Sequence, residues 1–243
     1  MKHDIVYILR NDMTSDEIRY SIRSVVENFP YRKIWFYGGC PEGITPDEYV
    51  YLEQQGDTKW QRSTWTLAHV CKNDDITDDF WLFNDDFFVM KRVRSEKPFI
   101  RGTLQRRIKD IESKQKGMTT PYSRQLRRTM HILKINGYKQ NDYALHVPML
   151  INRKKALEVI NTFPDCPMFR SLYGNYWDIG GEVIKDVKIQ GDGEVPEDAK
   201  FLSTDDKSFF KYQVGDFLRS RFTEPSKYES DAQGVRDTLR DYR

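Results

Sequence analysis

The first forty residues restrict the fold more than any other part of the chain. The run Ile5-Val6-Tyr7-Ile8-Leu9 and the run Ile34-Trp35-Phe36-Tyr37 are short, continuous and apolar, as strands covered on both faces are. Between them Thr14 and Glu17 have the spacing of a capping box, and Ile18, Ile22, Val25 and Phe29 recur at helical spacing up to Pro30. Strand, helix and strand within about 35 residues make a βαβ unit, whose strands run parallel. Ligands of such sheets bind beyond the carboxyl ends of the strands. Arg10-Asn11-Asp12 closes the first strand and Gly38-Gly39 stops the second, so these residues lie where a ligand is expected.

A second feature is the stretch Phe80-Trp81-Leu82-Phe83-Asn84-Asp85-Asp86-Phe87-Phe88-Val89-Met90. Two apolar runs flank Asn84-Asp85-Asp86. Adjacent carboxylates in an apolar setting are costly unless paired, hydrogen-bonded or bound to a cation. Mg²⁺ and Mn²⁺ take carboxylate oxygens, one or two from the protein, with phosphates supplying much of the rest. The stretch therefore reads either as a metal and diphosphate site at the end of a central strand or as an Asn-Asp turn between hairpin strands.

The remainder reads as a mixed α/β chain. Residues 41–59 are a connection with a short helix at about 46–55, and 60–71 form a helix with Trp60, Thr64, Leu67, Ala68 and Cys71 on one stripe. Two helices follow at about 103–116 and 122–136. Residues 146–151 resume strand character, with Pro148 making it an edge or bent strand. A helix at 153–163, a polar and aromatic stretch at 175–181, short strands at 187–189 and 201–203, and a helix at 207–222 complete the domain. Asp205 and Asp206 mark the start of that last helix, and residues 224–243 read as a tail.

Charge is unevenly spread. Residues 91–139 hold 15 Lys or Arg against 3 Asp or Glu, a net of +12, where the whole chain carries +2. Such a segment suits a polyanion-binding face or a solvated helical surface, and it reads as an inserted basic subdomain or lid within one domain of residues 1–223. Aromatic residues make up 14% of the chain, which excludes disorder. No apolar run approaches a membrane span and no signal peptide is visible. The three cysteines Cys40, Cys71 and Cys166 are widely spaced and lack zinc spacing, so reduced thiols and a cytoplasmic location are expected.

Several of these blocks, in this order, resemble a family. Asp4-Ile5-Val6-Tyr7, Glu17-Ile18-Arg19-Tyr20-Ser21-Ile22-Arg23-Ser24, Lys33-Ile34-Trp35, Phe83-Asn84-Asp85-Asp86-Phe87-Phe88 and, more loosely, His146-x-Pro148 resemble blocks of the Stealth-type sugar-phosphate transferases and of phage-encoded glycosyltransferases of GT-A type. The Trp-Val-Asp-Gly opening and the last Cys-containing block of the Stealth proteins are missing, which favours ordinary glycosyl transfer. The resemblance implies a GT-A-like, mainly parallel sheet flanked by helices and a nucleotide-diphosphate sugar as donor, a UDP-sugar first. Asn84-x-Asp86 keeps the spacing of the family's Asp-x-Asp motif. By that similarity Asp86, with Asp85, would hold Mn²⁺ or Mg²⁺, and His146 would be a third metal ligand or an edge histidine. Asn84, Arg10, Asn11 and Asp12 would meet the donor. Arg19 and Arg23 share a helical face and reach phosphate or the acidic strand end, or stay solvated.

Transfer also requires a group that takes the acceptor's proton. Asp178 is the candidate base, with a turn or cap as its ordinary alternative. The acceptor is expected to be a hydroxymethylated pyrimidine such as 5-hydroxymethylcytosine in phage DNA, with Arg92, Arg94, Arg101, Arg106, Arg107, Arg124, Arg127 and Arg128 tracking phosphates. The alternatives are a glycosyl or hexose-1-phosphate transferase acting on a cell-envelope glycan or teichoic acid, and a non-catalytic nucleic-acid-binding protein.

Overall fold

A computed structural model describes residues 2–12, 14, 16–94, 97–164 and 168–229. Its elements in chain order are β1 (Asp4–Leu9), α1 (Glu17–Asn28), β2 (Ile34–Gly38), β3 (Glu48–Tyr51), α2 (Lys59–Lys72), β4 (Asp79–Phe83), β5 (Phe87–Val89) and β6 (Phe99–Ile100). Then come α3 (Leu104–Lys114), α4 (Pro121–Ile135), β7 (Met149–Asn152), α5 (Arg153–Thr162), α6 (Phe169–Tyr176), β8 (Glu182–Val183), β9 (Lys188–Ile189), β10 (Phe201–Thr204), α7 (Asp206–Phe210) and α8 (Gln213–Arg221).

The main sheet has the order β3-β2-β1-β4-β7. Its first four strands are parallel and β7 is antiparallel to β4 at the edge. Side chains alternate across it as the pleat requires. Val6, Trp35, Tyr37, Phe80 and Leu82 enter one core, shared with α2 to α6. Ile5, Tyr7, Leu9, Phe36, Trp81 and Phe83 enter the other, shared with α1. Phe36, Phe80 and Phe83 are fully buried, each worth about 1.5–3 kcal/mol of transfer free energy. Because both faces are covered, β1, β2 and β4 are continuous apolar runs, and that is why they were readable.

A small second sheet, β5-β10-β9, packs with α7 and α8 around Phe88, Leu202, Phe209, Val214 and Leu218. β5 pairs with β10 on one side only. Its other edge is closed by side chains of α1. Ser21 Oγ donates to Phe87 O (2.6 Å), Val89 N–H donates to Ser24 Oγ (2.9 Å), and Asn28 Nδ2 donates to Val89 O (3.0 Å). The polar positions of α1 thus stand in for a missing strand.

Four expectations are revised. α1 begins at Glu17 with Asp16 as N-cap and no side-chain cap bond, because Glu17 is drawn to Thr204, whose Oγ1 donates to it at 2.6 Å. The short helix expected at 46–55 is edge strand β3, whose Tyr49, Val50 and Tyr51 favour extended backbone. The helix expected at 207–222 is broken into α7 and α8 at Lys211 and Tyr212. The basic segment does not stand apart as a lid: Leu104, Ile108, Leu126 and Leu133 lie in the same core as Val6 and Phe80.

The start of the expected tail, up to Glu229, is docked on α1. Arg23 makes a two-pronged ion pair with Glu229 (2.9 and 2.6 Å) and donates to Phe222 O, while Tyr228 OH donates to Asp47 (2.6 Å). Residues 230–243 and Cys166 lie outside the described residues. Cys40 and Cys71 are free thiols. Among the described residues no helix is long and apolar enough to cross a membrane.

Candidate active site

β4 belongs to the main sheet and β5 to the small one, so Asn84-Asp85-Asp86 is the link between two sheets and not a hairpin turn. Phe87 N–H donates to Asn84 O (3.3 Å), which tightens the link. Asn84 is exposed; Asp85 and Asp86 are half-buried. Asp86 Oδ2 accepts from Lys188 Nζ of β9 (2.7 Å) and from Ser203 Oγ of β10 (3.0 Å). Asp86 Oδ1 is buried with no hydrogen-bond partner. Burial, and next the charge of Asp86, push the Asp85 carboxyl up to about 6, with Arg10 and Lys188 acting the other way.

A cavity of about 640 Å³ opens at the carboxyl ends of β1 and β4. It is lined by Arg10, Asn11, Asp12, Asn84 and Asp85, by the first turn of α2 with Lys59 and Trp60, and by Arg170 and Ser171 of α6. The structure therefore brings together both groups of residues placed there from sequence. Arg10 is largely exposed and loosely paired with Asp12 (3.7 Å). Asn11 is held in place, donating to Leu52 O (3.0 Å) and accepting from Gln54 N–H (3.2 Å). Gly38 lets β2 end against β1, since a Cβ there would stand 2.1 Å from Leu9 O at a φ of +101°.

Other expected residues lie elsewhere. Arg19 is engaged by Asp16, by the carbonyls of Glu42 and Gly43 and by Glu229, so it does not reach the cavity. Asp178 is an exposed surface residue at φ 44°, paired with Lys139 (2.8 Å) just past the end of α6. His146 does not complete a metal set: its Nδ1 is 2.8 Å from Asp186 Oδ2, and among the described residues no three His, Cys, Asp or Glu side chains converge on a cation-sized space. A carboxylate only accepts, so Nδ1 carries the proton and Nε2 keeps its lone pair. Burial, then Lys188, Arg101, Arg170 and Arg107, push the His146 pKa down to about 2, so the imidazole is neutral.

The eight arginines expected on DNA part three ways. Arg92 and Arg94 flank a hollow with Asn28, Phe29 and Pro30 at the far end of α1. Arg106, Arg124, Arg127 and Arg128 are exposed on α3 and α4, on the opposite sheet face from α1, and Arg127 is paired with Glu112 (2.5 Å). Arg101 and Arg107 point inward. No single arginine face results.

Sequence reasoning missed Arg170, Asp186 and Lys188. The Arg170 guanidinium donates to Val147 O (2.6 Å), Leu145 O (3.2 Å) and Leu82 O (3.3 Å) and stands 5.3 Å from the centre of the Phe87 ring. Burial pushes its pKa down to about 10, with Asp86 opposing. It remains a cation at the floor of the cavity. No local pattern marks any of the three.

The residues fit a divalent cation. Two close carboxylates, one with an elevated pKa and one with an orphaned buried oxygen beside its ion pair with Lys188, have oxygens left for a cation, and two protein carboxylates suffice for Mg²⁺ or Mn²⁺ when phosphates supply further oxygens.

No protein-family model and no curated protein matches the sequence. Among solved structures, the galactosyltransferase LgtC in complex with donor and acceptor sugar analogues aligns over 97% of this chain and 100% of its own, at 10% identity and a TM-score of 0.51. An active-site mutant of LgtC aligns over 92% of this chain and 98% of its own, at 11% identity and a TM-score of 0.45. The glycosyltransferase GlyE of Streptococcus pneumoniae TIGR4 aligns over all of this chain and 60% of its own, at 11% identity and a TM-score of 0.34. The first of these, together with the mainly parallel sheet and the cavity at its carboxyl ends, shows that the chain has the GT-A-like fold of that galactosyltransferase.

Proposed function

We propose that this protein is a metal-dependent glycosyltransferase that takes a nucleotide-diphosphate sugar, a UDP-sugar first, and passes the sugar to an acceptor hydroxyl. One observation carries the reading: two under-compensated carboxylates, Asp85 and Asp86, meet where β4 ends, and Asp85 lines a cavity the size of a nucleotide-sugar site. The likeness to LgtC, described with donor and acceptor sugar analogues, supports it.

Asp85 and Asp86 would hold Mn²⁺ or Mg²⁺. Such a cation supplies charge stabilisation for the departing diphosphate. Arg10 at the mouth and Arg170 at the floor add fixed positive charge toward the phosphates, and Trp60 offers an apolar face. His146 takes the role of base in place of Asp178. Asp186 holds its ring by Nδ1–H, which leaves Nε2 to take the acceptor's proton once the anions of bound donor and acceptor offset the surrounding cations that hold its pKa down. In the transfer, the bond from the sugar's C1 to the phosphate oxygen breaks and the bond from C1 to the acceptor oxygen forms. The electron pair leaves with the nucleoside diphosphate, and the proton ends on His146 Nε2.

A hydroxyl on a glycan or glycan-like acceptor suits the divided arginines better than a DNA duplex. A duplex would need Arg92 and Arg94 on the same face as Arg124 and Arg128, and these lie on opposite faces of the main sheet. The test is a panel of nucleotide-sugars incubated with the protein and Mn²⁺, read by mass spectrometry for hydrolysis and for transfer to glycan and to hydroxymethylated DNA. Turnover of one UDP-sugar, abolished by Asp86→Ala, is expected. Absence of turnover and hydrolysis across the whole panel contradicts the proposal.

A further inference from the structure

Two inward-facing arginines are unexplained by that chemistry. Arg101 precedes α3, where its backbone N–H donates to Asp142 O and Asp142 N–H donates to Gly102 O, both at 2.8 Å. Its side chain is only 11% exposed. Arg101 Nη2 touches Asp186 Oδ2, but Nε and Nη1 are buried without an acceptor, as is Nε of Arg107 on α3. Buried N–H groups of a cation are normally satisfied. The two guanidinium groups also repel, since the charge of Arg107, after burial, pushes the Arg101 pKa down.

Of the acids beside them, only Asp142 keeps an oxygen, Oδ2, without a partner. Asp142 Oδ1 accepts from Ala144 N–H (2.9 Å) and Ser171 Oγ (3.4 Å), and Asp186 accepts from both the backbone and the ring of His146. The pair also touches the active site by two routes. Arg101 meets Asp186, which holds His146. The Arg107 guanidinium carbon is 6.0 Å from the centre of the Tyr122 ring, which stacks on Trp60 of the cavity wall (6.5 Å, 20°).

We propose that Arg101 and Arg107 bind an anionic group of the acceptor, a phosphate or carboxylate, and so place the acceptor's hydroxyl at His146. The proposal rests on the transferase reading. Planar guanidinium forks match two oxygens of one phosphate or carboxylate, and an anion between them would satisfy the orphaned N–H groups and cancel their repulsion. The donor's diphosphate has its own partners at Arg10 and at the cation that Asp85 and Asp86 would hold, and neither Arg101 nor Arg107 lines that cavity. The site at Arg101 and Arg107 therefore belongs to the acceptor.

The test is a calorimetric titration of inorganic phosphate into the full chain, with and without saturating UDP and Mg²⁺. Wild type is expected to bind phosphate at one site whose affinity UDP leaves unchanged. Arg107→Gln is expected to weaken that binding at least tenfold with UDP affinity intact, and Arg107→Lys, which keeps the charge without the fork, to weaken it less. Retained UDP binding shows that each variant folds. Phosphate binding that UDP abolishes would assign it to the donor's diphosphate place and overturn the proposal. Binding unaffected by Arg107→Gln, or no binding at all, would overturn it too, the last meaning that Arg101 closes on the free oxygen of Asp142. If UDP itself fails to bind, the transferase reading falls, while the phosphate titration still decides the anion site.

Discussion

Lys188 holds one carboxylate oxygen of Asp86 at 2.7 Å and leaves the other buried without a partner. The ammonium is thus an internal competitor for any divalent cation at Asp86. Lys188→Met is expected to tighten Mn²⁺ binding to the donor-free protein by roughly fivefold, equivalent to about 1 kcal/mol for a partly screened pair. The same variant should slow transfer, because a cation near the departing diphosphate is lost. Mn²⁺ titration followed by electron paramagnetic resonance checks the first outcome, and unchanged affinity would remove Lys188 from the site.

Asp85 makes the metal-free protein sensitive to pH. Burial and the neighbouring charge of Asp86 lift its pKa from the ordinary 3.8 to about 6. A carboxyl whose folded pKa lies above its unfolded one favours the folded state when protonated, so this contribution is present below about pH 4 and lost as pH rises through 6. Asp85→Asn should remove that slope and stabilise the metal-free protein at pH 7.5 by about 1–2 kcal/mol, allowing for partial exposure. Added Mn²⁺ should stabilise wild type but not Asp85→Asn. Urea denaturation at a series of pH values, with and without metal, measures both.

His146 and Asp178 make opposite predictions as bases. His146→Ala should lower kcat by about 10²–10⁴-fold with UDP affinity unchanged. Asp186→Asn should lower it by roughly an order of magnitude or more, since an amide no longer fixes the Nδ1–H tautomer. Asp178→Asn, at an exposed pair with Lys139, should leave kcat within about twofold. Steady-state kinetics on the three variants separates them, and a large effect of Asp178→Asn would reverse the assignment.

At the opposite end of β1, Asp4 is fully buried and accepts five hydrogen bonds: two from Arg32 (2.7 and 2.6 Å), one from the Trp35 indole (3.1 Å), and one each from Lys33 N–H (3.2 Å) and Thr77 N–H (3.1 Å). It ties β1 to β2 and to the entry of β4. Asp4→Ala strands the Trp35 indole and the Lys33 and Thr77 N–H groups, while the half-exposed Arg32 stays hydrated, and should cost about 3 kcal/mol. A shift in the urea midpoint of that size, without a change in cavity ligands, is the expected result.

The sheet was legible because β1, β2 and β4 are covered on both faces and carry their apolar runs locally. Asn84-Asp85-Asp86 was legible as a costly acidic stretch but not as a link between sheets, since the partner of β5 is β10, more than a hundred residues later. The block around Ser21 and Ser24 was visible as a pattern, yet its physical role, closing the free edge of β5, exists only once both elements are placed. His146 and Asp186 lie forty residues apart, and Lys188 looks like any strand lysine. Arg19 and Arg23 shared a helical face as expected, but the segment ending at Glu229 claims them both. Spacing tells which side chains share a face and says nothing of what returns to cover it.

The central claim, that Asp85 and Asp86 hold a divalent cation against the diphosphate of a nucleotide-sugar, is tested most directly by calorimetric titration of UDP into wild type and Asp86→Asn, each with and without Mn²⁺. The account predicts binding to wild type that weakens at least tenfold when Mn²⁺ is omitted and an equal loss in Asp86→Asn that Mn²⁺ does not restore. UDP binding that is equally tight without Mn²⁺ and in Asp86→Asn would contradict it.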